Sequence, residues 1–270
     1  ADPGVDALYL CTPHHLHLEH AIMAAKAGKH ILVEKPIARS LRESGEMVAQ
    51  ARRAGVTLMV AENYRFMPAV LGAKELIGRG AIGDLRSIQL QEEANFQPRK
   101  WRNDEHLNGG GVLIDGGIHK MDILIYLAGM PEQVFAAALP QALPGTRGED
   151  GAVVMTRSPD GVVGVINHSW SPVDDPAPPW VAITGVGGRI YFELGAPWLK
   201  IDDVNGERTL WLGEDHEGLQ NGLAPMVREF RDSIAERREP LTSGAAGIGA
   251  LSVVLKAYES IEIGESVPLG

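Results

Sequence analysis

Apolar residues in the first 80 positions come in short runs, separated by stretches where they recur every three or four residues. Residues 5–11 read as a buried strand closed by Thr12-Pro13. A helix is expected from about His14 to Ala27, stopping at Gly28, the residue type favoured just past a helix end. His30 to Glu34 is a second strand, which Pro36 keeps from extending. A second helix over 41–54 opens on Ser40 with Glu43 three positions on, a capping-box spacing, and Gly55 ends it. Residues 56–61 are a third apolar strand. Strand, helix, strand, helix, strand at this spacing implies right-handed parallel crossovers. Such sheets bind ligands beyond the carboxyl ends of their strands. Those ends carry Thr12-Pro13, Glu34-Lys35-Pro36 and Glu62-Asn63-Tyr64-Arg65.

From residue 84 the pattern changes to short β runs: 85–93, 133–139, 151–157, 162–170, 180–184, 189–193 and 209–212. A helix over 110–128 would cover one side of them, giving an open, largely antiparallel sheet with a single helical face. Trp198, Ile201, Leu210 and Trp211 belong either to the other, uncovered face or to a surface hairpin. Residues 171–179, with four prolines, read as a loop bordering the pocket, and a helix over about 247–260 closes the chain. The fold class is therefore α/β: a partial doubly wound, Rossmann-like parallel sheet followed by an α+β domain with an open, mainly antiparallel sheet. The boundary is expected between 1–66 and 67–270, with the last helix free to pack back on the first domain.

Composition narrows the function. The chain has 270 residues and a net charge of −10, and its 44% apolar and 22% charged fractions exclude disorder. A negative protein whose longest basic stretch is Arg99-Lys100-Trp101-Arg102 is no general nucleic-acid binder. No run of about 18 apolar residues offers a membrane span. Cys11 stands alone, so no internal disulfide forms, and a reducing compartment, the cytoplasm, is expected. The chain runs from Ala1 into a buried strand with almost no lead-in, which leads us to expect a fragment.

Several side chains suit proton chemistry. Pro36 pushes Lys35 toward extended backbone at a strand's carboxyl end, aiming it into the crevice, where it could move a proton or orient a hydroxyl. A solvated lysine in a turn is the plain alternative. Asp115 and His119, four apart on the expected helix, share one face. The carboxylate would accept from one imidazole nitrogen and leave the other as the base, with Asp122 extending the network. The alternative is a helix start made acidic for its dipole, with a hydrogen-bonded histidine. Gly109-Gly110-Gly111 cost stability at a helix start and suggest a ligand approaching the backbone. His14, His17 and His20 lack the further ligands zinc needs, so no metal is expected. Neither Gly185-Val186-Gly187-Gly188 nor Gly247-Ile248-Gly249 sits between a strand and a helix, so no phosphate-binding fingerprint is seen.

Together these stretches resemble the Gfo/Idh/MocA family of NAD(P)-dependent oxidoreductases. The resemblance rests on residues 5–8 through Thr12-Pro13-His14 and His17, on Ala27-Gly28-Lys29-His30 to Glu34-Lys35-Pro36, on Lys100-Trp101-Arg102, on 109–122 and on the closing helix. It implies that Lys35, Asp115 and His119 are catalytic. Lys35 would touch the substrate hydroxyl and the nicotinamide ribose, and His119 would act as general acid and base with Asp115 bonded beside it. Thr12, Pro13, His17, Glu34 and Lys35 would line the cofactor crevice, with Trp101 and Arg102 at its border. Lys35, Arg102, Asp115 and His119 would hold the substrate. Position 14 carries His where the family more often has Asn, and Asn63-Tyr64-Arg65 would lie at the mouth.

The resemblance further implies a glycine-rich βαβαβ half ahead of Ala1, about 60 residues long since one βαβ unit takes roughly 30 or more. Without it, the strand 5–11 would show an open edge. The residue choosing NAD over NADP would lie in that half, so either cofactor fits. The family uses the uncovered sheet face for subunit contact, implying a homo-oligomer, dimer or tetramer. The implied reaction moves a hydride between nicotinamide and a hydroxyl-bearing carbon of a sugar, inositol or related polyol. The rivals are a redox-neutral glycosidase or lyase that oxidises transiently, and a non-catalytic binding or regulatory protein on the same scaffold.

Overall fold

A computed structural model describes residues 2–171, 180–212 and 222–269. The three apolar runs become β1 (Ala7–Leu10), β2 (His30–Glu34) and β3 (Leu58–Ala61), parallel and adjacent in that order. Helices α1 (His17–Lys26) and α2 (Leu41–Ala54) make the crossovers. The first is shorter than its sequence pattern suggests. His14–Leu16 form a 3-10 turn because the His14 ring turns inward, its Nδ1 2.8 Å from the Asn108 carbonyl. Ser40 caps α2 by accepting from the Glu43 N–H at 3.2 Å. The Glu43 carboxylate does not complete the box on Ser40; it clamps the Arg39 guanidinium and backbone instead.

The β-rich remainder forms one nine-stranded sheet. Its strands are β4 (Leu85–Asn95), β5 (Gln133–Ala138), β6 (Gly151–Arg157), β7 (Val163–Ser171), β8 (Trp180–Gly185), β9 (Gly188–Glu193), β10 (Trp198–Asp203), β11 (Gly206–Trp211) and β12 (Val267–Pro268). The order is β11-β10-β9-β8-β4-β7-β6-β5-β12, antiparallel except for the central β4–β7 pair. Strand β10 entered the sequence reading only through Trp198 and Ile201, on an uncovered face or in a surface hairpin, and Ile201 is instead buried on the covered face. The strand pairs with β11 as a hairpin at the sheet edge, with Trp198 opposite Trp211. The expected loop at 172–179 lies outside the described residues. Gly185 to Gly188 make the β8–β9 turn, and Gly247 and Gly249 lie inside the last helix, so neither group precedes a helix.

Alternation along the strands decides which face is covered. Ile88, Leu90, Val134, Ala136, Val154, Ile166, Ile183, Ile190 and Leu199 all point to one side and are buried. Above them lie α3 (Pro68–Gly78), α5 (Ile118–Ala128) and α7 (Gly244–Ile263), while α4 (Glu105–Asn108) packs on the 3-10 turns at 14–16 and 100–103 and α6 (Leu223–Glu236) buries Met226 and Phe230 against the parallel sheet. Of these, α7 packs on α2, α5, β3 and β5, so it joins the parallel sheet to the large one. Thr242 reinforces the join: its hydroxyl donates to the Val60 carbonyl at 2.7 Å, and its own carbonyl accepts from Val60 N at 2.8 Å. One apolar core consequently runs from Leu10 and Val33 through Leu251 and Val254 to Leu199. Among the described residues no helix is long and apolar enough to cross a membrane.

The helix expected over 110–128 is not continuous. Leu113–Gly117 form a π-helical turn, and regular α-helix begins only at Ile118. The glycines before it serve the protein and not a ligand. A Cβ on Gly110 would sit 2.4 Å from the Tyr258 hydroxyl, and one on Gly111 would lie 2.1 Å from the Glu149 carbonyl. That hydroxyl is the anchor of the turn. It accepts from the N–H groups of Gly111 and Ile114, both at 3.1 Å, and donates to Glu149 Oε1 at 2.9 Å. Replacing it by hydrogen orphans two buried N–H groups. Tyr258→Phe is expected to lower stability by about 1–3 kcal/mol, read as a shifted urea midpoint with unchanged slope.

Candidate active site

Three elements converge beyond the carboxyl ends of the parallel strands. The tip of β2 supplies Lys35, the tip of β3 supplies Glu62 and Tyr64, and the π-turn with α5 supplies Asp115 and His119. Lys35 Nζ donates to the Asp115 backbone carbonyl and, at 3.3 Å, to its Oδ1. Arg102 Nε donates to the other carboxylate oxygen at 3.2 Å, and its guanidinium lies 4.5 Å from the Trp101 ring centroid. Burial pushes the Asp115 carboxyl up, but the Lys35 ammonium and the Arg102 guanidinium outweigh it and hold the group below its ordinary value. Asp115 therefore stays ionised and keeps two cations at the crevice.

The expected Asp115–His119 pair does not form. In an α-helix residues four apart stack, but the wider π-turn breaks that phase between positions 115 and 119. His119 Nδ1 instead donates to Glu62 Oε1. The imidazole also stacks on Tyr64, with ring centroids 4.1 Å apart and planes 12° from parallel. A carboxylate only accepts, so the proton on Nδ1 is fixed and Nε2 is left as the basic atom, free of hydrogen bonds among the described residues. Asp122 does not extend this network either. One turn further on, it faces Arg65, which grips both its oxygens and donates to the Leu241 carbonyl at 2.8 Å. Glu62 and Tyr64 are thus the functional candidates the sequence reading missed in role, although their place at a strand tip marked them. Lys35 and Glu62 line the same small cavity, which also touches Ile118 and Asp122.

The remaining expected residues divide. Thr12 and Pro13 stand half-buried at the tip of β1, and Glu34 at the tip of β2 accepts from the Tyr9 hydroxyl. Trp101 packs edge-on against His14, with centroids 4.6 Å apart, which brings it beside the tip of β1. His17 departs from expectation: it is fully buried and so does not line the crevice. As the first residue of α1 it points under the two tips. Its Nδ1 lies 3.0 Å from the Pro36 carbonyl and its Nε2 2.8 Å from the Thr12 carbonyl, so it packs under both turns, and the neutral ring has one N–H to donate to them. Burial pushes it below its ordinary pKa. Among the described residues no group of His, Cys, Asp and Glu could hold a metal ion. The donor set does fit the nicotinamide end of a dinucleotide: the Thr12 hydroxyl, the Lys35 ammonium and two turns follow the carboxyl ends of the adjacent strands β1 and β2.

Two family descriptions match the chain in order, an oxidoreductase family with NAD-binding Rossmann fold over residues 1–62 and a GFO/IDH/MocA C-terminal domain over 70–191. An oxidoreductase of Bacillus subtilis, YrbE, is 34% identical over 276 residues, which are 99% of this chain and 79% of that protein. The chain belongs to the Gfo/Idh/MocA family. Levoglucosan dehydrogenase of Pseudarthrobacter phenanthrenivorans is 36% identical over 256 residues, 81% of this chain but 65% of the relative. This chain therefore spans just under two thirds of that Gfo/Idh/MocA protein. A solved structure of levoglucosan dehydrogenase in complex with NADH and levoglucosan superposes with a TM-score of 0.90 at 28% identity, covering 99% of this chain and 81% of that one.

The ion pairs at Asp115 give a pH signature. Its folded pKa is depressed, so the stability it contributes is complete above the ordinary value of 3.8 and is lost as pH falls through the lower folded value. Denaturant titrations of wild type and Asp115→Asn should diverge near pH 6 and converge as pH drops below that range. A gap widening toward acid would contradict the ion-pair assignment.

Proposed function

We propose that this chain forms the working part of an NAD(P)-dependent dehydrogenase acting on a hydroxyl-bearing carbon of a sugar, inositol or related polyol. The observation that carries this reading is the meeting of Lys35 with the π-turn one helical step before His119. A held cation at a strand tip and an oriented imidazole on the helix that follows the turn support this reading. When bound, nicotinamide supplies the hydride acceptor, and the protein supplies geometry and proton handling. His119 Nε2 removes the hydroxyl proton, while Glu62 holds Nδ1–H and Tyr64 holds the ring plane. Lys35 donates to the substrate oxygen as negative charge grows there, and Asp115 with Arg102 keeps that ammonium in place. Thr12, Pro13, Glu34, Trp101 and Arg102 are assigned to the cofactor side of the crevice. The levoglucosan-bound relative supports a polyol as substrate.

Removing a general base costs about 10²–10⁴-fold in rate. His119→Ala is expected to lose kcat in that range while NADH affinity, measured by fluorescence titration, stays within about threefold. Glu62→Gln should lose roughly 10- to 100-fold, the value of a hydrogen bond to a charged group. Equal loss of rate and cofactor affinity would remove His119 from the chemistry.

We also propose self-association through the uncovered sheet face. A cavity of about 510 Å³ opens there between Trp180, Arg189, Tyr191, Trp198 and Lys200. Arg189 and Lys200 lie 5.4 and 5.7 Å from the Tyr191 ring centroid. Aromatic residues with arginine are the composition of interface centres. Trp198→Glu should shift the sedimentation coefficient from oligomer to monomer without altering the circular dichroism spectrum; an unchanged coefficient refutes the assignment. The single exposed thiol of Cys11 suits a reducing cytoplasm.

A further inference from the structure

The inward face of β4 and β7 changes character at one level. Ile88, Leu90 and Ile166 are buried apolar residues, then Glu92 and His168 stand opposite each other in register, and Ala94 and Trp170 follow. Lys120 descends from α5, almost fully buried, and donates to Glu92 Oε2. His168 Nδ1 lies 3.8 Å from the same oxygen. Three polar side chains in the phase of a core cost stability that apolar residues would not. His168 is the more costly, because it is 2% exposed and neither ring nitrogen has a hydrogen-bond partner among the described residues. Burial, with Lys120, His119 and Lys35 nearby, pushes its imidazole well below the ordinary range and keeps it neutral.

This cluster is part of the same neighbourhood as the base. Lys120 Nζ lies 5.2 Å from the Tyr64 ring centroid, and Tyr64 stacks on His119. The π-turn bearing Asp115 rests on it too, since a Cβ on Gly116 would lie 2.3 Å from His168 Nε2. The Glu92 side chain remains 14% exposed, and among the described residues its Oε1 is neither bonded nor sealed from solvent. A carboxylate with one oxygen held by Lys120 and the other open can accept from a further donor.

We infer that Glu92 reads a second hydroxyl of the substrate, Oε1 accepting its O–H while Lys120 holds Oε2 and His168 backs the carboxylate. The inference rests on the polyol dehydrogenase reading above and makes Glu92 a specificity determinant of that site. A cyclic polyol suits the arrangement because it presents hydroxyls on neighbouring carbons, one to His119 and another to Glu92.

The test is steady-state kinetics of the full-length protein with NAD⁺ or NADP⁺, levoglucosan, myo-inositol and the monodeoxy derivatives of levoglucosan. Two variants are compared, Glu92→Gln and the double variant Glu92→Gln with Lys120→Met, the second leaving no unpaired buried ammonium. Both are expected to raise KM about 10- to 100-fold with kcat within about threefold, as loss of a charge-assisted bond predicts. That penalty should vanish on the one deoxy derivative lacking the hydroxyl that Glu92 reads. An equal penalty on every derivative, or a fall in kcat at constant KM, overturns the inference and leaves the dehydrogenase reading standing. A wild-type protein that oxidises none of these polyols overturns both.

Discussion

A single ammonium group ties the two halves of this molecule together at the place where chemistry is possible. Lys35 sits at the end of a parallel strand, and its hydrogen bonds go to a turn of the other half, to the Asp115 carbonyl and carboxylate. The strand cannot move away from the π-turn without stranding a buried carboxylate between Arg102 and an empty space. The remaining features follow from holding this contact. His17 packs under the turns at Thr12 and Pro36, Tyr258 and Glu149 anchor the glycines before the π-turn, and α7 spans both sheets. Precise placement on rigid elements is what a positioned proton acceptor requires.

Much of the frame was legible because its signals are local. Short apolar runs closed by Gly or Pro marked the strands, and Ser40 marked a helix start that the structure caps. The family resemblance came from Glu34-Lys35-Pro36 and the 109–122 stretch, and the family matches agree with it. Less legible were α3, α6 and β10. The first two carry apolar faces that are narrow or interrupted, and Met226 and Phe230 reveal a buried side of α6 only once the parallel sheet is in place. In β10 the apolar residues Leu199 and Ile201 alternate with Lys200 and Asp202 over too few positions to stand out.

The site was misread where a rule of spacing met an irregular backbone. Counting four residues from Asp115 to His119 assumes 3.6 residues per turn, and the π-turn invalidates that count. The partners that form instead, Glu62 and Tyr64, lie some 57 and 55 positions away in sequence, where no periodicity connects them to His119. The glycine triplet was misread for a related reason. Glycines are needed wherever anything comes close, and here the visitors are Tyr258 and Glu149. A usable signal was nonetheless present in the strands. Glu92 and His168 fall in the apolar phase of their own segments, and Lys120, with His119 and Asp122, interrupts a helix that is apolar elsewhere. Charge in a buried phase is the mark that alternation alone can supply.

The parallel β4–β7 pair has a consequence for how the chain reaches this shape. Strands β5 to β7 and β8 to β11 are each linked to neighbours close in sequence, so both arrays can zip from their own turns. Strand β4 has no such neighbour: Ser87 meets Val163 on one side and Thr184 on the other. It is the keystone laid between two finished arches, and its arrival must close loops of some 76 and 97 residues at once. Loop-closure entropy makes that step slow and renders the open intermediate adhesive along two bare edges. The polar level at Glu92 and His168, lying on this seam, would then be among the last parts of the protein to assemble.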